Sequence, residues 1–285
     1  MIKAIILDID GVIVGEKIGF NSPTPHDDVL SAMKAIHAKG IPIVLCTAKP
    51  HYSVQDIIQG ASLANPHITD AGAVIIDPID NIIVEKHSID KVLAKKVLDV
   101  CLENKIYVEF YTVDDYFIQQ GQTSDITKQH THILQREPQV VSSLSDSSLE
   151  QEITKIMPIA KDLEDKKRVA AILEQFSKQL SISWAVHPVA LPAQFGIMTV
   201  RGSSKKEGAV AIVKSLHLSF DDVLGIGDST SDWSFIELCG YGATLANGSQ
   251  EIKDLIATKG TGKFFIAPHV DENGILEIFR YFFKL

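Results

Sequence analysis

At 285 residues, with 45% apolar and 22% charged residues, the chain is long enough for one large globular domain or two moderate ones. Its net charge of −9 supplies no basic excess to displace counterions from nucleic acid or an anionic membrane, so neither is expected as the main partner. Cys46, Cys101 and Cys239 lie far apart in apolar surroundings and read as small core residues rather than a disulfide frame or a zinc site. No run of 18 apolar residues occurs, and Asp8 and Asp10 interrupt what would be a signal-peptide core, so the expected location is cytoplasmic.

The chain opens with Ala4, Ile5, Ile6 and Leu7, a continuous apolar run of the kind that forms a strand buried on both faces of a parallel sheet. It stops at Asp8-Ile9-Asp10-Gly11. Residues 12–25 are punctuated by Gly, Ser and Pro and read as a flap over the strand end. Val29, Met33 and Ile36 carry helical spacing up to Gly40, and a second buried strand over residues 41–46 runs into Thr47. A short helix is expected at 54–58 and a hairpin at 73–84, turning around 78–81. The alternation of strand and helix predicts a parallel sheet with right-handed crossovers.

The middle of the chain changes character. A helix at Leu93, Val97, Val100 and Cys101 precedes two adjacent strands, 106–111 and 116–119. Residues 121–148 are mostly polar, and His130-Thr131-His132 within them reads as surface loop, since no third metal ligand accompanies the pair. A strand at 152–160, an amphipathic stretch at 163–180 and a strand at 182–186 complete what looks like an inserted α+β module. Of its aromatic residues, Tyr111, Phe117, Trp184 and Phe195 are candidates for the cap lining or, more simply, its core. From Phe195 the first pattern returns: a strand at 197–200, a helix carrying Ala209, Ile212, Val213 and Leu216, a buried strand at 223–227, a helix at 235–238 and a strand at 241–245.

Three of these strands end in polar chemistry: Asp8-Ile9-Asp10-Gly11, Thr47-Ala48-Lys49, and Gly227-Asp228-Ser229-Thr230-Ser231-Asp232. In an open α/β sheet the carboxyl edge is where ligands bind, so as neighbours these ends bring four carboxylates and a hydroxyl to one place. Adjacent carboxylates repel, and a hard divalent cation with oxygen ligands relieves that repulsion. Alone, a D-x-D after a core strand is equally compatible with a polar turn. Lys205-Lys206, at the start of the helix carrying Ala209, add a cation near a helix N-terminus, itself favourable to an anion. Gly225-Ile226-Gly227 is not a dinucleotide fingerprint, because Thr230 occupies the third glycine position. Nor is Asp8-x-Asp10-Gly11 a calcium loop, its glycine falling too early.

The set D-x-D-G, strand-end Thr, Lys and G-D-x-x-x-D, in that order, resembles the haloacid dehalogenase-like (HAD) superfamily of phosphohydrolases. The resemblance covers about residues 1–84 and 195–285, and the position of the insertion looks most like the Cof-type branch with the second type of cap. It implies a doubly wound α/β core at 1–84 and 195–285 with a mobile α+β cap inserted at 85–194. It further implies Asp8 as nucleophile forming an aspartyl-phosphate, Asp10 as acid and base, and Mg²⁺ held by Asp8, the Asp10 main-chain carbonyl and Asp228 with support from Asp232. Thr47 and a lysine would hold the phosphoryl oxygens. Lys206 fits the family register by lying three residues before Ala209, and Lys205 is the alternative. Val12, Ala48-Lys49, Glu207-Gly208 and Ser231 depart from frequent family choices without removing an acid or base. The implied reaction is hydrolysis of a small phosphomonoester, such as a sugar phosphate or a phosphorylated small acid. Transfer to an acceptor by a phosphomutase or phosphotransferase, and non-catalytic sensing of a phosphorylated ligand, are the competing readings. Asn247 is a weaker candidate for a place near the phosphate. Oligomeric state is not legible.

Overall fold

The computed structural model describes residues 1–284. In chain order its first third comprises β1 (Ala4–Leu7), α1 (Asp27–His37), β2 (Ile43–Leu45), α2 (Gln55–Gly60), β3 (His67–Thr69), β4 (Val74–Asp77) and β5 (Ile82–Lys86). Then come α3 (Lys91–Glu103), β6 (Tyr107–Tyr111), β7 (Tyr116–Gln119), α4 (Asp125–Leu134), β8 (Gln139–Val141), α5 (Leu144–Ser147), β9 (Lys155–Ala160), α6 (Leu163–Leu173), β10 (Leu180–Ala185) and β11 (Gln194–Val200). The last third holds α7 (Lys205–Ser215), β12 (Val223–Ile226), α8 (Thr230–Ile236), β13 (Tyr241–Leu245), α9 (Gln250–Ala257), β14 (Phe264–Ala267) and α10 (Ile275–Phe283).

The core is a five-stranded sheet in the order β14-β13-β12-β1-β2, every pairing parallel. Side chains of a strand alternate between faces, and β1 shows the consequence. Ile5 and Leu7 pack with Met33 and Ile36 of α1 and Ile278 and Phe279 of α10, while Ala4 and Ile6 pack with Ile212 of α7, Phe235 of α8 and Ile256 of α9. Both faces are covered, which is why the strand reads as a continuous apolar run. The chain winds one way from β1 to β2 and the other way from β12 to β14, so the switch point lies between β1 and β12, where such sheets bind ligands. The β3-β4-β5 sheet, with its 74–86 hairpin, adjoins the core through a bridge between Cys46 and Ile68.

The inserted module is a six-stranded sheet, β10-β11-β9-β6-β7-β8, antiparallel except for β7 with β8. One face buries Val97 and Leu98 of α3, Leu144 of α5 and Val169 and Leu173 of α6. The other buries Ile133 and Leu134 of α4 and rests on Ala48, Tyr52 and Ala71 of the core. The cap therefore takes in all of β11, beyond the expected boundary at residue 194. Residues 197–200 read as a core strand because their apolar pattern is the same in either sheet; their partners, β9 and β10, are set by long-range pairing. The polar stretch 121–148 contains α4, opened by a Ser124–Thr127 capping box, and the His130-Thr131-His132 segment belongs to it rather than to a surface loop. His130 is buried with its Nδ1 2.8 Å from Glu109 Oε2, and Tyr111 donates to the same oxygen at 2.5 Å. All three cysteines are free and buried. Among the described residues no helix is long and apolar enough to cross a membrane.

Candidate active site

The parallel register carries Asp8, Thr47 and Asp228 to one edge. β1 is paired with β12 from Leu7 to Ile226 and with β2 from Leu7 to Leu45, so the residues that follow each strand emerge side by side. Asp8 continues the alternation of Ala4 and Ile6 and points to the side of the sheet where α7 and α8 pack. There it meets Lys205, whose Nζ is 2.8 Å from Asp8 Oδ2 and 2.7 Å from Asp232 Oδ1. Gly11 turns the chain with φ +76°, and a Cβ on it would fall 2.0 Å from Asp228 Oδ2. Only glycine allows both that backbone and that approach.

Asp232 is fully buried and closes a reciprocal capping box with Ser229 at the start of α8. Its Oδ2 accepts from the Ser229 hydroxyl at 2.8 Å and from the Ser229 and Asp228 main-chain N–H groups at 3.1 and 3.3 Å. Asp232 thus shapes the loop that presents Asp228, and the Ser231 hydroxyl joins it at 2.7 Å from that of Ser229. Asp8, Asp228 and Asp232 each offer a carboxylate oxygen, and these three atoms lie within 4.8 Å of one another. Burial pushes Asp8 up to about 7; Lys205 opposes the rise, and Asp232 and Asp10 add to it. Burial, with Asp232 and Asp8, pushes Asp228 well above the carboxylate range too. Three crowded carboxylate oxygens, on a site where burial and neighbouring carboxylates raise the proton affinity of Asp8 and Asp228, match a divalent cation with hard-oxygen preference.

Asp10 stands differently. Burial alone would raise it, but Lys49 and His187 reverse this and hold it well below the usual carboxylate range. Lys49 Nζ lies 2.8 Å and His187 Nε2 3.2 Å from the same oxygen, Oδ1, leaving Oδ2 for other partners. Lys49 was legible only as a departure after Thr47, and His187 gave no signal at all. It reaches Asp10 from the loop between β10 and β11, a contact that only tertiary packing creates. Thr47 is buried, and its Oγ1 accepts from the Lys49 N–H at 3.1 Å. Asn247 brackets the site from behind, donating to the Gly11 carbonyl at 2.7 Å and accepting from the Val270 N–H at 3.0 Å.

The choice of Lys206 is corrected. Lys206 Nζ is 2.7 Å from Glu237 Oε1 on the surface, with 40% of its side chain exposed. α7 starts at Lys205 after the Ser204 cap, and successive residues turn by about 100°, so only one of the two lysines faces the sheet edge. Gly208, Ala209 and Ile212 form the buried face, at i+3, i+4 and i+7 from Lys205. Val210, four residues after Lys206, is exposed.

The constellation lies at the switch point of the doubly wound core, the edge where open α/β sheets bind ligands. A family model described as haloacid dehalogenase-like hydrolase matches residues 5–279, and the chain belongs to that family. The chain is 21% identical to phosphatase YwpJ of Bacillus subtilis, over 89% of this chain and 92% of that protein. It is 20% identical to pyridoxal phosphate phosphatase YbhA of Escherichia coli, over 88% and 90%. The solved structure of the HAD subclass IIB sugar phosphatase BT4131 superposes with a TM-score of 0.78 at 20% identity, covering 98% of each chain. The α/β core with its inserted antiparallel cap is the fold of these enzymes.

Proposed function

We propose that the enzyme is a magnesium-dependent phosphatase that hydrolyses a small phosphomonoester through an aspartyl-phosphate on Asp8. The observation that carries the reading is the geometry of the sheet edge: Asp8, Asp228 and Asp232 bring carboxylate oxygens within 4.8 Å of one another, Lys205 bridges Asp8 and Asp232, and Asp10 stands two residues from Asp8. Asp8 attacks phosphorus in line, and the bond to the leaving oxygen breaks as that oxygen takes a proton from Asp10. In the free site Lys49 and His187 keep Asp10 ionised, and it takes up the proton it donates only with the phosphate dianion beside it. Water then attacks the aspartyl-phosphate, gives its proton to Asp10, and the bond to Asp8 breaks. Lys205 and the Thr47 hydroxyl hold the phosphoryl oxygens as charge shifts. Asp8, the Asp10 main-chain carbonyl and Asp228, with Asp232 in support, would hold Mg²⁺, which would supply the charge neutralisation that lets a carboxylate approach the dianion. The names of the relatives, one a pyridoxal phosphate and one a sugar phosphatase, support a small phosphorylated metabolite as substrate.

The test is release of inorganic phosphate from a panel of phosphomonoesters, with and without Mg²⁺ and without an acceptor. Release that needs the metal is the expected result; transfer only to an added sugar hydroxyl would replace hydrolysis by phosphotransfer. Two further outcomes follow from the site. Mg²⁺ added to metal-free protein should raise the melting temperature by about 5–10 °C at a hundredfold excess over Kd, by mass action on the folded state. Asp228→Asn should cancel that shift, and a shift that survives it would place the metal elsewhere. Asp10→Asn should lower kcat for an alkyl phosphate by about 10²–10⁴-fold. The loss should be smaller for formation of the phosphoenzyme from p-nitrophenyl phosphate, whose leaving group needs little protonation. Equal losses in that step would remove Asp10 from the role of acid.

A further inference from the structure

Lys155, the first residue of β9, is buried to 1% exposure although its side chain crosses from the cap into the core. Its Nζ donates to the Ala48 carbonyl at 2.7 Å, stands 3.3 Å from Asp70 Oδ1, and lies 3.9 Å from the centroid of the Tyr111 ring. Each partner leads to the site. Ala48 lies between Thr47 and Lys49. Asp70 begins a loop of three residues in the left-handed region, with φ +49° at Asp70, +56° at Ala71 and +98° at Gly72. Alanine keeps such a backbone only where the surroundings over-determine it. Here the Asp70 N–H donates to the Lys49 carbonyl and the Ala71 N–H to the Thr47 carbonyl, both at 3.0 Å. A Cβ on Gly72 would fall 2.1 Å from the carbonyl oxygen of Ser204, the residue that caps α7 just before Lys205. The 70–72 loop is thus wedged between the segment that carries Thr47 and Lys49 and the helix that carries Lys205.

We propose that Lys155 is a positioning residue for the phosphate site: from the cap sheet it fixes the main chain of residues 47–49 by bonding the Ala48 carbonyl and by neutralising Asp70 beside it. A seated cap and a correctly placed Thr47 are then one condition, because the cap residue that neutralises Asp70 also holds the carbonyl next to Thr47. The inference rests on the reading of Thr47 as a phosphate ligand.

Lys155→Met alone leaves Asp70 buried without a counter-charge and can fail to fold. The deciding variant is therefore Lys155→Met with Asp70→Asn, which removes both charges at nearly constant volume. The readouts are kcat and KM for p-nitrophenyl phosphate, the inhibition constant of inorganic phosphate, and the melting temperature. The expected result is a folded enzyme whose kcat falls, and whose phosphate inhibition constant rises, by about tenfold or more, as displacement of positioning groups produces. Lys155→Gln in the Asp70→Asn background places an amide donor one bond short of the ammonium and should recover part of both losses. A folded double variant with wild-type kcat and phosphate affinity overturns the proposal, as does a Gln variant no better than the Met variant. Thr47→Ala in the same assay keeps the two readings apart. If it leaves the inhibition constant unchanged, the assignment of Thr47 falls; if it weakens phosphate while the double variant does not, only the role of Lys155 falls.

Discussion

Asp8→Asn is expected to reduce phosphate release by about 10⁴-fold or more, the scale seen when a covalent nucleophile is removed. The protein should remain folded. Asparagine keeps an oxygen for the Ile9 N–H, which Asp8 accepts at 2.8 Å, and it removes one of three crowded carboxylates. Burial, Asp232 and Asp10 push Asp8 up to about 7 while Lys205 opposes the rise, so a neutral isostere relieves repulsion in the metal-free site and gives up the Lys205 ion pair, which Lys205 keeps with Asp232. A melting temperature close to that of the wild type, measured beside the lost turnover, would show that chemistry and not folding was removed. Turnover that survives the substitution would sink the aspartyl-phosphate mechanism.

The second large effect separates two adjacent lysines. Lys205→Met should lower kcat by about 10²–10³-fold, as loss of a group that stabilises transition-state charge does. Lys206→Met should leave kcat within about twofold, because its ion pair with Glu237 is exposed and screened. Asp232 and Asp8, overcoming the effect of burial, keep Lys205 protonated well above the ordinary lysine range, so it is a fixed cation at any assay pH. Removing it leaves Asp8 and Asp232 without their shared partner and costs about 3–5 kcal/mol of stability, so activity has to be read per folded molecule. Steady-state rates with folded fractions from circular dichroism make the comparison. Equal losses in the two variants would return the assignment to Lys206.

The two lysines also mark where the sequence stopped. Composition and periodicity were enough for the alternating core, because strands buried on both faces must be apolar throughout and helices laid on them must repeat every three to four residues. Asp8, Asp10, Thr47, Asp228 and Asp232 were legible because strand ends of a parallel sheet share an edge, so local pattern implied proximity. Lys205 against Lys206 was a matter of helix phase, and phase is fixed by where Ser204 caps α7, a one-residue question that spacing from Ala209 answered wrongly. The role of β11 depended on which strands it meets, and its apolar pattern is the same in either sheet. His187 at Asp10, and Lys155 reaching Ala48 and Asp70, join residues brought together only when the cap seats on the core. Contacts of that kind are made by packing across a domain boundary, and no periodicity within one element records them. The sequence by itself determined the core, the family and which acids share one sheet edge; the tertiary structure decided which cations face those acids and which cap residues reach that edge.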